Sequence, residues 1–231
     1  MNEILKISNL SKTFGERGPK VNALNDLNLV IKSQSFTSII GRSGSGKTTL
    51  LNIIGGLEPP TSGEIKIGDI NPYKLNDNDR SKFRRRHIGY IFQFFNLLPE
   101  LTVYENICLP SYLDHRYPDK CFIKKVLDKL ALESMIHKYP AELSGGEQQR
   151  VAVARALSCK PEIILADEPT GNLDKRSGYE LMDLLHYSCR MFNQTILLVT
   201  HDLEIARTAD RIVTLEDGRI ISDISGDAHE E

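Results

Sequence analysis

The chain has 231 residues, 40% of them hydrophobic, and a formal charge of −2. That length suits one large α/β domain or two closely packed lobes. The near balance of charge argues against a nucleic-acid partner, because general nucleic-acid binders show basic excess. No apolar run approaches the roughly 18–20 residues needed to span a bilayer, and the opening MNEILKISNL lacks the charged-then-apolar layout of a signal peptide. Cys108, Cys121, Cys159 and Cys189 are scattered without a CxxC pair, which reads as reduced, unpaired thiols. The expectation is a soluble, intracellular chain whose membrane role comes through a partner.

Residues 4–10 and 24–31 mix apolar and polar side chains in short alternation, as half-buried strands do. Residues 15–19 between them read as an exposed turn. Phe36–Ile40 is a short β-prone run, and Lys47–Ile54 reads as a helix closed by Gly55 and Gly56. Another turn at 59–63 precedes a strand at 64–67, and 88–92 looks like a buried strand that runs straight into Gln93. From there to about residue 160 the texture is helical. Phe122, Ile123, Val126, Leu127 and Leu130 form one apolar stripe opposite Lys124, Lys125, Asp128 and Lys129, an amphipathic helix suited to ordinary packing. Strand texture returns at 163–166, 195–200 and 211–215. The layout is a strand core interrupted by a helical insertion.

Gly41, Arg42, Ser43, Gly44, Ser45, Gly46, Lys47 and Thr48, with Thr49 following, fit G-x-x-x-x-G-K-[ST] between a strand and a helix. The glycines let successive N–H groups point at phosphate oxygens, and the helix adds its positive end. Lys47 is expected to reach the β- and γ-phosphates and the Thr48 hydroxyl to ligate Mg²⁺. By itself this motif leaves kinases, GTPases, helicases and transport cassettes open.

Leu143, Ser144, Gly145, Gly146 and Glu147 follow about a hundred residues later. Ser144 and Glu147 are spaced as a capping box, so the segment starts a helix. Two glycines at a helix start cost stability and add nothing to packing; they suit a backbone that a phosphate must approach closely. Residues 163–168 then form an apolar strand ending in Asp167 and Glu168, which taken alone could be a solvated strand end.

Phosphate loop, LSGGE segment and acidic strand, in that order, resemble the ATP-binding cassette (ABC) family over about residues 4–218. The resemblance implies an α/β P-loop NTPase fold: a mostly parallel sheet with flanking helices, an antiparallel β subdomain and an α-helical signature subdomain. Residues 1–231 would be one nucleotide-binding domain, with about 94–160 inserted in the core. It also implies a homodimer in which two copies pack head to tail, each ATP lying between one copy's phosphate loop and the other's Leu143–Glu147 segment. Asp167 would position Mg²⁺ through water and Glu168 would act as general base. Gln93 matches the loop glutamine that senses Mg²⁺ and the γ-phosphate, and His201 the switch histidine, with a buried core histidine as the alternative. Asp174, in Gly171-Asn172-Leu173-Asp174, matches the loop that crosses the dimer seam. Phe14 stands where an aromatic stacks on adenine, with strand packing as the alternative. Gln34-Ser35 replaces the Gly-Glu common at that turn, so Gln34 is expected in a conformation that glycine tolerates better.

Residues 88–99, 101–107 and 167–174 are similar to one subgroup: macrolide exporters, lipoprotein-releasing systems, cell-division cassettes and antimicrobial-peptide resistance transporters (the MacB, LolD, FtsE and BceA types). That similarity implies a bacterial ATPase subunit, cytoplasmic and peripheral on the inner face of the membrane. Its permease partner would have few transmembrane helices and a large extracytoplasmic domain. A soluble or regulatory cassette is the alternative; soluble ones usually show long coiled-coil insertions, zinc modules or two cassettes in one chain, none of which is visible here, and no residue separates a regulatory role from transport. Phe94, Phe95, Leu97 and Leu98 are too apolar for an ordinary loop and suit a partner. The basic run at 80–87 reads as a solvated helix face, with contact to acidic headgroups or the permease as the alternative.

Overall fold

The computed structural model describes residues 2–15 and 19–225; the expected turn at 15–19 falls largely outside them. In chain order the elements are β1 (Glu3–Phe14), β2 (Val21–Lys32), β3 (Phe36–Ile40), α1 (Lys47–Ile54), β4 (Ser62–Ile67), α2 (Asp77–His87), β5 (Ile88–Ile91), α3 (Val103–Leu113), α4 (Lys120–Lys129), α5 (Gly145–Leu157), β6 (Ile163–Asp167), α6 (Lys175–Met191), β7 (Thr195–Thr200), α7 (Leu203–Ala206), β8 (Arg211–Glu216) and β9 (Arg219–Ser225). Among them α3, α6, α7 and β9 go beyond the elements expected from sequence.

Two sheets form. Antiparallel β2-β1-β4 makes the smaller, and β5-β6-β7-β3-β8-β9 the larger. In the larger sheet every neighbouring pair is parallel except β8 with β9. Parallel strands covered on both faces read as continuous apolar runs, which is why IILA and TILLV carry no alternation. Their side chains still alternate in space. Ile164, Ala166, Ile196 and Leu198 join a core with α3, α4, α5 and α6, whereas Ile163, Leu165, Leu197 and Val199 face α1 and the small sheet.

Gln34 adopts φ +59°, as the missing glycine at that turn implied. The basic run is less solvated than its charge suggested. Arg84 Nη1 donates to Gly56 O at 3.1 Å, and Arg86 and Arg116 both hold the buried Asp114 carboxylate, at 2.7 and 2.6 Å. Asp77 and Asp79 in the first turn of α2 and Arg84–His87 in its last turn complement the helix dipole instead.

Ahead of α3, Asn106 replaces secondary structure for the segment at 98–102. Fully buried, it accepts from Leu98 N (2.8 Å) and donates to Leu98 O (3.0 Å), Leu101 O (2.9 Å) and Thr102 O (3.1 Å). An Asn106→Leu substitution leaves Leu98 N and Leu101 O without their partner, whereas Leu98 O and Thr102 O keep backbone donors. It should cost about 3 kcal/mol, read as a lower urea midpoint at unchanged slope.

Candidate functional site

Because β5, β6, β7 and β3 run parallel, their C-terminal ends leave the sheet at one edge. Gln93 follows β5, Asp167 ends β6 with Glu168 directly after it, His201 follows β7, and the phosphate loop follows β3. The loop fits closely under its neighbours: a Cβ on Gly41 would lie 2.2 Å from Leu215 O, and one on Gly46 2.3 Å from Ala23 O. Gly46 also has φ +102°, which side chains rarely adopt.

Lys47 is only 8% exposed and folds back over its own loop, donating to Gly41 O (2.8 Å) and Arg42 O (2.9 Å). No carboxylate pairs with it among the described residues. Ser45 Oγ is buried at the same loop without a partner among them. A lysine held by carbonyls alone, beside an unsatisfied hydroxyl, suits an incoming anion. A cleft of about 570 Å³ opens in front, lined among others by Asn22, Gly44, Lys47, Thr49, Glu168 and His201.

Across the cleft Thr48 Oγ1 donates to Asp167 Oδ1 at 3.4 Å. Burial first, then the charge of Glu168, push the Asp167 carboxyl above its ordinary value. Glu168 has φ +47°, and its two carboxylate oxygens each lie 2.9 Å from His201 Nδ1. His201 is largely exposed, so it is not a buried core histidine.

Other expected residues stand apart. Gln93 turns toward Gly171, where a Cβ would lie 3.0 Å from its Nε2, and Asn172 Nδ2 donates to Gln93 O at 2.8 Å. Asp174 caps α6, accepting from Ser177 N (3.0 Å) and Ser177 Oγ (2.7 Å). Phe14 is 41% exposed at the end of β1, with the Lys12 ammonium 4.8 Å from its ring centre; it pairs with Val21, which lines the cleft. None of Leu143–Glu147 lines that cleft; Gly146 borders a different one beside Ser177.

Two side chains escaped the sequence reading. Gln149, buried in α5, donates to Pro169 O at 3.0 Å and so ties that helix to the turn after β6. Arg155 reaches Asn96 O (2.5 Å) and Phe95 O (2.6 Å), holding two residues with positive φ just after Gln93. Neither side chain's contacts have a sequence signature, since all three acceptors are backbone carbonyls.

A family model described as ABC transporter matches residues 24–171. The chain belongs to the ABC transporter family. The lipoprotein-releasing system ATP-binding protein LolD of Cytophaga hutchinsonii is 44% identical over 96% of this chain and 100% of its own. The macrolide export ATP-binding/permease protein MacB of Bartonella henselae is 43% identical over 95% of this chain and 34% of its own. A solved dimer of the ATP-binding cassette MJ0796 from Methanocaldococcus jannaschii, in a post-hydrolysis state with ADP and Pi, matches with TM-score 0.85 and 42% identity over 96% of this chain and 98% of that one. The chain is thus an ABC-type ATPase with the mixed-sheet cassette fold.

The Asp167–Glu168 pair gives a pH-dependent prediction. A raised carboxyl binds its proton more tightly folded than unfolded, so the ionised form costs stability at neutral pH; the cost shrinks as pH falls through the raised value and is gone below the carboxyl's ordinary value. Asp167→Asn should therefore raise the thermal midpoint of the nucleotide-free protein at pH 7. Calorimetry should find that gain lost in acid.

Proposed function

We propose that two copies of this chain pack head to tail and close on two ATP molecules, and that hydrolysis reopens them to drive a separate membrane permease. One observation carries the shared site. Beyond its chain neighbours and its own helical turn, a Cβ on Gly145 or Gly146 would come no nearer than 4.0 and 3.8 Å to any described atom, Phe95 Cζ and Ser177 Oγ respectively, unlike Gly41 and Gly46. Nothing among the described residues calls for glycine there; a phosphate arriving from outside does.

In this reading Lys47 leaves the Gly41 and Arg42 carbonyls to bind the β- and γ-phosphates, and Phe14 stacks on adenine. Thr48, with Asp167 and Gln93, would hold Mg²⁺; all three offer oxygen, the donor that ion prefers. When bound, the ion neutralises charge on the phosphates. Glu168 takes the proton of the attacking water, and His201 orients that carboxylate through Nδ1. Ser144 of each copy completes the other's site, and Asp174 lies along the seam.

The permease would dock by the apolar cleft of about 280 Å³ lined by Tyr90, Phe92, Leu109, Leu113 and Arg155. Phe94, 71% exposed, and Leu98, 42% exposed, stand near it in the chain. No helix among the described residues is long and apolar enough to cross a membrane, consistent with a peripheral position on the cytoplasmic face. The relatives named LolD and MacB support the subgroup, and with it a permease of few transmembrane helices and a large extracytoplasmic domain. In that subgroup the chain acts as a single cassette, its helical part at about 94–160.

Glu168→Gln should bind ATP, lose at least about 100-fold in turnover, and elute as a dimer when ATP is present. Elution as a monomer at saturating ATP would refute the shared site.

A further inference from the structure

Ser144 has one hydroxyl proton, and in this chain it is already committed. Ser144 Oγ donates to Glu147 Oε2 at 2.8 Å, and Ser144 N donates to the same oxygen at 2.6 Å. In return Ser144 Oγ accepts from Glu147 N at 3.3 Å. These bonds close the first turn of α5 and pin a carboxylate beside the glycine step. The backbone and hydroxyl donors of Ser144 hold the Glu147 carboxyl below its ordinary value, with smaller help from Lys138 and Arg150, so it stays ionised at neutral pH.

A neutral glutamine at this position would close the same box. The cap therefore does not explain the charge. A phosphate arriving over Gly145 and Gly146 seeks the same hydroxyl proton and the same positive helix end. It meets there a fixed charge of its own sign. Carboxylate and phosphate thus compete for one donor.

We propose that Glu147 is a positioning residue that opposes closure of the shared site, competing with the terminal phosphate for the Ser144 hydroxyl and setting the ATP concentration at which two copies close. The inference rests on the shared-site reading above. Glu147 acts through Ser144 and not on the reacting atoms. As phosphate departs after hydrolysis, the carboxylate reclaims the hydroxyl, which favours reopening.

The test places Glu147→Gln in the Glu168→Gln protein and follows dimer formation by light scattering during an ATP titration. Half-closure is expected at an ATP concentration about 3- to 10-fold lower than in the parent. The difference should narrow in about 0.5 M salt, where exposed charges are screened. Glu147→Ala, which also removes the competing charge, should shift half-closure the same way. An equal thermal midpoint for the Gln variant would establish that the cap survives. A parent that closes with ATP, with both variants at or above its half-closure concentration, would overturn the proposal. A parent that never dimerises with ATP would overturn the shared site, and this proposal with it.

Discussion

Parallel pairing of β5, β6, β7 and β3 forces four strands to leave the sheet by one edge, and the chemistry follows from that constraint. Each strand delivers one kind of group: an amide at Gln93, carboxylates at Asp167 and Glu168, an imidazole at His201, and an amine on a loop of backbone donors at Lys47. An antiparallel arrangement would send half of them to the opposite edge. The apolar strand interiors, buried on both faces, hold the register that aligns these ends.

What stands at that edge is electrostatically unfinished. Lys47 is satisfied only by carbonyls, Ser45 Oγ has no partner among the described residues, and Asp167 is raised by burial and a like charge. A polyanion accompanied by a divalent cation would relieve all three. The α5 N-terminus has the complementary character: two glycines at which a Cβ would meet only ordinary contacts, and a serine whose proton is lent to its own cap. These are two halves with matching needs, and within one chain they border different clefts.

Much of this was legible in the sequence. The phosphate loop, the capping box and the acidic strand end are local patterns, and β3, α1 and β7 fall on the expected residues because turn glycines and apolar runs bound them sharply. The missing turn glycine at Gln34 correctly foretold a positive φ. Elsewhere locality failed. The basic run at 80–87 looked solvated because its acceptors, Gly56 O and Asp114, lie 28 residues away from Arg84 and Arg86. Contacts of Arg155 and Gln149 end on backbone carbonyls, which carry no residue code. Phe14 was placed by analogy, and its neighbour Lys12 over the ring was not visible from spacing.

Complementation between two inactive chains would test whether the site is shared. Ser144→Arg protein and Lys47→Ala protein would each be assayed alone for ATP hydrolysis, then mixed and assayed again. If the site is shared, mixed dimers contain one intact phosphate loop facing one intact signature, and activity absent from both parents returns. If each chain carried its whole site, every chain in the mixture would remain defective, and a mixture no more active than its parents would rule out the shared site.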